Sequence, residues 1–527
     1  MDLTSLPVEI LEEIFSKLNH RSLLEASLVC HYWKLVVEPL IARRSCLNIN
    51  LKMLDHLEVL KDSIRKYQSV LIVNGQNDYW DKIREILNLL YHRIKPRYLR
   101  IRGVLSDQLY RFYSDYGAWF DELESINVGM DDRFTSYSSE TEDENFHLFL
   151  PKLKTLTWYE CLYGTLHTGE KSVTVEAPNL EVVDIDDSLD PAAVLKIPYC
   201  KKLKRIGCLF YTKMFRNTFI DDEFAHLQHL TVSCAYTNDD LSFLERMDNL
   251  RTLELTCSQS GLRVIERLKS LNHLRALQIS IHDQSLERVS LNLTRLCSLA
   301  TKIERIEFIN FEIRTFGTVI AEQLCSLKFK EVKIIEQDFT LFAPKLKVLS
   351  IPLSILATTH IVNNERLSEF YLDLESTYLD TAFQNYLSPF LQQHATVAAL
   401  ILRNPCRNDQ NISQFKVRCE IPRAIERLEL RKVALDLDFF RYISHWYSLK
   451  HLSLDRVTID CGRNAEQVVD LPCVTSINVY SGTLVGIERE HFPLRIGCPE
   501  SGVLFERHGD YFHTMDSEYA LAGDGYD

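Results

Sequence analysis

The chain has 527 residues, of which 46% are apolar and 25% are charged, and its formal net charge is −13 at pH 7. This composition is ordinary for a soluble protein with room for a large core, and it excludes collagen-like, disordered and disulfide-scaffold chains. No apolar run approaches the roughly eighteen residues of a membrane span, and no apolar leader is present, so we expect neither a membrane segment nor a signal peptide.

Much of the negative charge lies in two segments, and the rest of the chain is close to neutral. Residues 131–144 carry six acids against Arg133, and residues 510–527 carry five acids with no lysine or arginine. Nucleic-acid binding needs a basic face, so none is expected. The 14 cysteines form no CxxC pair, which indicates reduced thiols in the cytoplasm, the nucleus or both, with no metal or other cofactor.

The first forty residues are unusually rich in regularly spaced apolar side chains. Six of them fall on one stripe of a helix of period 3.6, namely Leu6, Ile10, Leu11, Ile14, Phe15 and Leu18. Pro7 suits the first turn of that helix, and Asn19 and Ser22 can end it and cap the next. Two further short helices reach about Ile41. Because three short helices cannot enclose so many large side chains, we expect part of the stripe to be buried by another surface.

These residues resemble an F-box motif, carried by Leu6-Pro7, Glu9-Ile10-Leu11, Ile14-Phe15, Leu18, Leu23, Ala26, Val29-Cys30 and Trp33. The resemblance implies an F-box over residues 1–45 that docks on the small adaptor subunit of a Skp–Cullin–F-box ubiquitin ligase. The residues it implies for adaptor binding are Leu6, Pro7, Ile10, Leu11, Ile14, Phe15, Leu18, Leu23, Val29 and Trp33. The alternative is that these helices only cap the domain that follows.

From about Tyr67 onward a short phrase recurs, in which apolar residues occupy the first, fourth and sixth places. Its clearest copies are Leu153-Leu156-Trp158, Leu180-Val183-Ile185, Leu227-Leu230-Val232, Leu250-Leu253-Leu255, Leu274-Leu277-Ile279, Ile303-Ile306-Phe308, Leu346-Leu349-Ile351, Leu367-Phe370-Leu372, Ile425-Leu428-Leu430 and Leu449-Leu452-Leu454. Weaker copies are Tyr67-Val70-Ile72, Leu123-Ile126-Val128, Phe329-Val332-Ile334, Val397-Leu400-Leu402 and Val474-Ile477-Val479, and Leu99-Ile101 and Leu203-Ile206 look incomplete.

The phrase recurs mostly every 23 to 30 residues, with shorter steps from Phe329 to Leu346 and from Leu346 to Leu367. This phrase and period are typical of leucine-rich repeats. The last two apolar residues of each phrase point inward from a short strand, and neighbouring units must stack to bury them. Helical apolar spacing in Leu262–Leu271 and Asp438–Tyr447 predicts outer helices. The fold class is therefore α/β: a three-helix F-box, then an irregular leucine-rich repeat solenoid, or horseshoe, of about seventeen units over residues 46–500.

The whole chain thus resembles the F-box and leucine-rich repeat protein family. Within the repeat region, residues 131–147 form a long acidic segment for which we expect a protruding loop. Residues 501–527 form an acidic C-terminal tail. Its charge is opposite to that of Arg403, Arg427 and Arg431, so one hypothesis is that it folds back onto them, and the alternative is a frayed terminus.

Residues that flank the inward pair of each strand point to the concave face, where a solenoid can hold a partner. The later repeats place arginine and aromatic residues there, the types that dominate binding hot spots. The target-binding candidates are Tyr371, Arg403, Arg427, Arg431, His451 and Tyr480. The alternative is a mixed, solvated face with no preferred site.

The sequence contains no GxGxxG, Walker-type, GxSxG or HExxH motif, so we expect no enzyme. The resemblance implies a substrate-recognition subunit of a Skp–Cullin–F-box ligase, with the adaptor, the cullin and an unknown target protein as partners. The alternative is a leucine-rich repeat scaffold that binds the adaptor without driving ubiquitination.

Overall fold

The computed structural model describes residues 6–50, 52–53, 67–73, 80–104, 106–131, 146–161, 172–185, 194–208, 224, 226–234, 244, 247–257, 270–281, 290–310, 312–314, 318–334, 339–356, 359–362, 364–374, 383–404, 413–415, 424–460, 468–485, 494–497, 503–508 and 511–514. The chain divides into two compact units, Met1–Leu250 and Arg251–Asp527. Each unit is described by itself.

The first unit opens with three helices, α1 (Val8–Ser16), α2 (His20–Ser27) and α3 (His31–Arg44). Pro7 lies immediately before α1 rather than inside its first turn, and its carbonyl oxygen accepts hydrogen bonds from the backbone N–H groups of Ile10 and Leu11, both at 3.1 Å. The predicted cap of the second helix is present, because the Asn19 side chain accepts from the backbone N–H of Ser22 at 2.8 Å.

The third helix begins at an unusual cap and leads directly into the sheet. The Cys30 sulfur accepts from the backbone N–H of Trp33 at 3.4 Å, which gives this thiol a structural role at the helix start. Pro39 lies inside α3. Only Ser45 separates the end of α3 from the first strand, Cys46–Ile49.

The main element of the first unit is a ladder of parallel strands, each paired with the next along the chain. Among the described residues these strands are Cys46–Ile49, Ser69–Val73, Tyr98–Val104, Ser125–Asp131, Thr155–Cys161, Val182–Ile185, Arg205–Cys208 and His229–Cys234. The two phrases that look incomplete in sequence, around Leu99 and Leu203, thus belong to ordinary members of the ladder.

The second unit contains an equivalent parallel ladder, again in chain order. Its described strands are Thr252–Cys257, Ala276–Ile281, Arg305–Ile309, Ser326–Lys330, Val348–Pro352, Glu369–Asp373, Ala399–Arg403, Arg427–Arg431, His451–Asp460 and Ser476–Val485. Parallel pairing of successive strands, joined by crossovers, is the architecture that the repeated phrase predicts.

Most of the apolar residues of the repeated phrases are buried in the core. Leu449, Leu452 and Leu454 are fully buried, with the last two on the strand and the first at the turn that enters it. One phrase was assigned wrongly. Phe329-Val332-Ile334 is not a repeat phrase, because the ladder strand is Ser326–Lys330 and its phrase is Leu324-Leu327-Phe329, all buried.

Short strands and helices return the chain between ladder strands. The first unit has α4 (Trp80–Leu90), α5 (Ser106–Asp115), α6 (Gly117–Phe120) and a parallel trio, Phe146–Phe149, Ser172–Glu176 and Val194–Lys196. The second unit has α7 (Leu293–Leu299), α8 (Leu353–Leu356), α9 (Ser388–Gln393), α10 (Leu437–Ile443), a 3-10 turn at Ser270–His273 and a π-helical turn at Phe383–Leu387. The helix predicted over Asp438–Tyr447 is therefore present as α10, whereas residues 262–269 lie outside the described part of the chain.

Additional strands of the second unit form smaller parallel pairings. They are Ser290–Asn292, Glu312–Arg314 and Lys333–Ile334; Thr318–Ile320, Phe339–Phe342 and Thr359–Val362; Ser413–Phe415 and Val433–Asp436; and Val468–Asp470 with Leu494–Gly497. Val503–His508 and Tyr511–Thr514 pair antiparallel at the C-terminal end.

The two acidic segments lie largely outside the described residues. Of residues 131–147, the structure describes Asp131 and the start of the strand Phe146–Phe149. Of residues 501–527, it describes the two antiparallel strands. No helix among the described residues is long and apolar enough to cross a membrane.

Candidate functional site

The three N-terminal helices share a small core built from part of the apolar stripe. Leu11, Phe15 and Leu23 are buried, and the Phe15 and Trp33 rings meet edge to face with centroids 5.0 Å apart. The partly buried members that pack against this core are Leu6, Leu18 and Trp33. Six of the ten residues implied for adaptor binding therefore build or border the domain's own core.

The other four lie on the surface. Ile10 is 45% exposed, Ile14 is 44% exposed and Val29 is 62% exposed. Pro7 is also exposed. Ile10 and Ile14 are four residues apart on α1, so they are neighbours on one helical face. Part of the apolar stripe is therefore exposed on the three helices, and its burial by another surface stays a prediction.

Three more exposed apolar residues were not among the adaptor-binding candidates. They are Val8, Leu28 and Leu35, and Leu28 is the most exposed at 85%. The signal that could have found them is that they are apolar yet lie off the buried stripe. Exposed apolar side chains gathered in so small a domain indicate an interaction surface.

The second candidate surface is the face of the second-unit ladder that points away from the core, here called the open face. The six target-binding candidates lie there on five neighbouring strands, at positions that alternate with buried apolar residues. The register places Arg403 opposite Arg431 and Arg427 opposite His451. The sequence periodicity predicts this face for the candidates, and target binding there stays a prediction.

Four of the six candidates contact neighbouring acids, and the first two are Arg403 and Tyr371. Arg403 makes a bidentate ion pair with Asp373, through Nε to Oδ1 and through Nη2 to Oδ2 at 3.1 Å, and its Nη2 also donates to Ser350 Oγ at 3.2 Å. The Tyr371 hydroxyl donates to Glu369 Oε2 at 3.1 Å. Burial raises the pKa of Asp373 even though Arg403 works in the opposite direction.

Arg427 and Arg431 share one carboxylate. Arg427 Nη2 donates to Glu429 Oε2 at 3.0 Å, and Arg431 Nε donates to Glu429 Oε1 at 2.5 Å. Glu429 is only 5% exposed, whereas both arginine side chains are about half exposed. The buried acid therefore holds two outward-facing cations in place, an arrangement that sequence periodicity alone does not reveal.

A groove of about 500 Å³ runs beside this pair of arginines. Its lining includes small polar residues, Ser453, Ser476 and Asn478, and the candidates His451 and Tyr480. His451 Nδ1 lies 2.8 Å from Ser476 Oγ, and Tyr480 is 69% exposed. No cluster of His, Cys, Asp or Glu that could hold a metal occurs among the described residues.

Residues 3–48 match the family model described as F-box-like. The N-terminal domain is F-box-like. The matched range contains α1, α2 and α3 and extends into the first strand. An F-box-like domain followed by ladders of leucine-rich repeat type is the organisation predicted from the sequence, and it is confirmed.

Two similar solved structures are plant receptors. The first is the LRR ectodomain of the plant membrane receptor kinase GASSHO1/SCHENGEN3 from Arabidopsis thaliana in complex with CASPARIAN STRIP INTEGRITY FACTOR 2, with 11% identity, a TM-score of 0.28, and coverage of 80% of this chain and 58% of that chain. The second is the plant peptide hormone receptor RGFR1 in complex with RGF2, with 10% identity, a TM-score of 0.24, and coverage of 84% and 73%.

The chain therefore spans 58% of the length of the first of these receptor ectodomains. A comparison with curated proteins gives no match. The leucine-rich repeat architecture of each unit rests on its own strand ladder and repeated phrase.

Proposed function

We propose that this protein is the substrate-recognition subunit of a Skp–Cullin–F-box ubiquitin ligase. The F-box-like domain binds the adaptor and, through it, the cullin, and the leucine-rich repeats bind a target protein. The observation that carries the proposal is the set of exposed apolar side chains on the F-box-like domain, which includes Ile10, Ile14 and Val29. A family match and an unpaired apolar surface point to the same partner.

The ten adaptor-binding candidates differ in burial, and their proposed roles differ accordingly. Pro7, Ile10, Ile14 and Val29 are exposed and would contact the adaptor directly. The partly buried Leu6, Leu18 and Trp33 would border that contact. The buried Leu11, Phe15 and Leu23 would act indirectly, by holding α1 and α2 in the geometry that the adaptor recognises.

The proposed role is non-catalytic. The chain holds its target near the conjugating enzyme, and a target lysine then meets a high local concentration of activated ubiquitin. This function needs a binding face and a fixed attachment to the adaptor, but no acid, base or nucleophile of its own. Residence in the cytoplasm, the nucleus or both belongs to the proposal, since the scattered cysteines indicate a reducing compartment.

Co-purification of the adaptor and cullin with the full-length chain tests the proposal. We expect Ile10→Asp combined with Ile14→Asp to release both partners, because the change places two charges in an apolar contact. Ile320→Asp is the matched control, since Ile320 is also apolar and exposed but lies on a strand of the second unit. Failure of the unmodified chain to retain the adaptor would overturn the proposal.

The same experiment separates the proposal from a scaffold that binds the adaptor without driving ubiquitination. A ligase receptor retains both adaptor and cullin, and the abundance of its target rises when the proteasome is inhibited. A scaffold retains the adaptor alone, or its partner's abundance is unchanged by the inhibitor.

A further inference from the structure

We infer that Arg427 and Arg431, positioned by Glu429, form a clamp for the side-chain carboxylate of an extended peptide segment of the target. The inference rests on the proposed function and adds the chemistry of the group recognised. The partner is thus a protein with an aspartate or glutamate in an accessible, extended segment. The clamp is the set Arg427, Glu429 and Arg431.

The geometry of the clamp is set by the buried acid. All three residues lie on the strand Arg427–Arg431 and point to the open face, with the acid between the two arginines. Each arginine gives one hydrogen bond to a different oxygen of Glu429. A guanidinium carries five N–H donors in a rigid fork, so each retains donors for a second anion. Because Glu429 already orders both side chains, a ligand would lose little arginine freedom on binding.

The charge of the clamp itself favours a carboxylate over a phosphate. Two arginines and one glutamate leave one net positive charge, which a single carboxylate neutralises. The nearby Asp455 does not change this balance, because Arg456 Nε lies 3.6 Å from its Oδ1. A phosphate would bring a charge of about −1.5 to −2 and would leave an excess negative charge beside the buried Glu429.

The groove beside the clamp has room for the rest of the segment. Its volume is about 500 Å³, and Ser453, Ser476 and Asn478 line it with short side chains. Tyr480, exposed at the groove, offers a rigid aromatic surface, and His451 offers a ring next to Arg427 in the sheet register. This combination of arginine and tyrosine around a groove is typical of peptide-binding hot spots.

Selection of a random peptide library on the full-length chain tests the clamp. We expect the selected peptides to share an Asp or Glu at one fixed position. Replacing that residue by Gln or Asn should lower the affinity at least about tenfold, because hydrogen bonds to a charged acceptor are stronger than those to a neutral one. Replacing it by phosphoserine should give no tighter binding.

Variants of the chain, measured with both the acidic and the neutral peptide, give a double-mutant cycle for the clamp. Arg431→Gln should weaken the acidic peptide at least about tenfold but should weaken the Gln or Asn peptide much less, because the charged contact is then already lost. Arg427→Lys keeps the charge but removes the fork, and should also weaken the acidic peptide. Arg366→Gln, at an exposed arginine of the same unit, is the matched control and should change nothing. A cooperative thermal unfolding transition well above the assay temperature shows that each variant is folded.

Three results would overturn the clamp. The first is a set of selected peptides with no fixed Asp or Glu, and the second is an affinity of Arg431→Gln for the acidic peptide equal to that of the unmodified chain. The third is an affinity for the phosphoserine peptide at least tenfold higher than for the acidic peptide, which would indicate a phosphate site. Adaptor co-purification is measured separately and does not involve the clamp. Loss of the clamp with adaptor binding intact would therefore leave the proposed function standing.

Discussion

Asp373 is a carboxylate that is 4% exposed on the open face of the second unit. Acids are almost never buried to this extent unless they are paired. Arg403 is the ion-pair partner of Asp373. Its Nε and Nη2 each donate to one carboxylate oxygen, and Nη2 also donates to Ser350 Oγ. Arg403 therefore has a structural task in addition to any contact with a target.

We predict that Arg403→Met destabilises the second unit by about 3–5 kcal/mol at neutral pH, because it leaves Asp373 buried without a counter-ion. The cost should shrink on acidification. Burial already raises the pKa of Asp373, and loss of the arginine raises it further, so the folded state takes up a proton at a pH where the unfolded carboxyl remains ionised.

Urea unfolding at several pH values measures this effect, with Arg403→Met combined with Asp373→Leu as the matched control. The double variant should recover most of the stability and lose the pH dependence, because it removes both members of the pair. An Arg403→Met variant as stable as the unmodified chain at neutral pH would contradict this account.

His394 carries a second pH-dependent contribution. It is buried at the end of α9, with its ring centroid 4.6 Å from that of Phe390. Burial lowers the pKa of His394 below its ordinary value of 6.5, although the backbone of Asn364 opposes this shift. On acidification, His394 therefore takes up a proton in the unfolded chain before it does so in the folded chain. The free energy of unfolding that neutral His394 contributes above pH 6.5 is lost as the pH falls below that value.

We predict that His394→Leu flattens this part of the pH profile of thermal unfolding between about pH 7 and about pH 5. His360→Leu, which removes an exposed imidazole, is the matched control. Identical slopes for the unmodified chain and His394→Leu would show that His394 does not contribute.

At the residue scale, the sequence predicts which face of the sheet a side chain lies on, but not which side chain it pairs with. The alternation in the strand Ala399–Arg403 placed Arg403 on the open face. Its partner Asp373, however, lies thirty residues earlier, and the pairing depends on the register of two strands across a crossover. Likewise, the apolar stripe of α1 did not distinguish the buried Phe15 from the exposed Ile14, because both are apolar and adjacent.

At the element scale, the chain leaves several ladder strands through the same backbone conformation. The residue that follows the strand has a positive φ at Asn310 (63°), Glu331 (54°) and Lys432 (53°), and Arg456 (50°) occupies the equivalent place. Asn310 also donates its side-chain amide to the Ile281 carbonyl at 3.1 Å. Asparagine tolerates this left-handed conformation, whereas glutamate, lysine and arginine adopt it at a cost.

We predict that Glu331→Gly stabilises the second unit by about 0.5–1 kcal/mol. The left-handed conformation costs a non-glycine residue roughly 1–2 kcal/mol, and the added freedom of glycine in the unfolded chain offsets about half of that gain. Glu322→Gly is the matched control, since Glu322 is an exposed glutamate without a positive φ, and it should destabilise. Urea unfolding measures both, and equal effects of the two variants would contradict the prediction.

The one misassigned phrase shows where element prediction fails. Leu324-Leu327-Phe329 and Phe329-Val332-Ile334 both fit the repeat pattern, because a second short strand, Lys333–Ile334, follows the ladder strand almost at once. Only pairing with the neighbouring strand Arg305–Ile309 decides which phrase enters the ladder. Such outer strands contribute apolar residues with the same short spacing, so local pattern cannot separate the two.

At the scale of the whole molecule, the proposed function requires the adaptor-binding domain and the repeats to be joined firmly. Only Ser45 separates α3 from the first ladder strand, and its N–H donates to the Ile41 carbonyl at 2.7 Å. A connection this short leaves the F-box-like domain little freedom relative to the first strands of its own unit. Proximity catalysis benefits from such rigidity, because a misplaced lysine reacts slowly.

The most direct test of the central claim is a calorimetric titration of the purified full-length chain with a purified Skp-type adaptor. We predict saturable binding that weakens at least about a hundredfold in the variant carrying Ile10→Asp and Ile14→Asp, as expected when anchors of an interface are charged. Ile320→Asp should bind like the unmodified chain, and helical circular dichroism should be the same in all three. Equal affinity of the double variant, or no binding by the unmodified chain, would contradict the account.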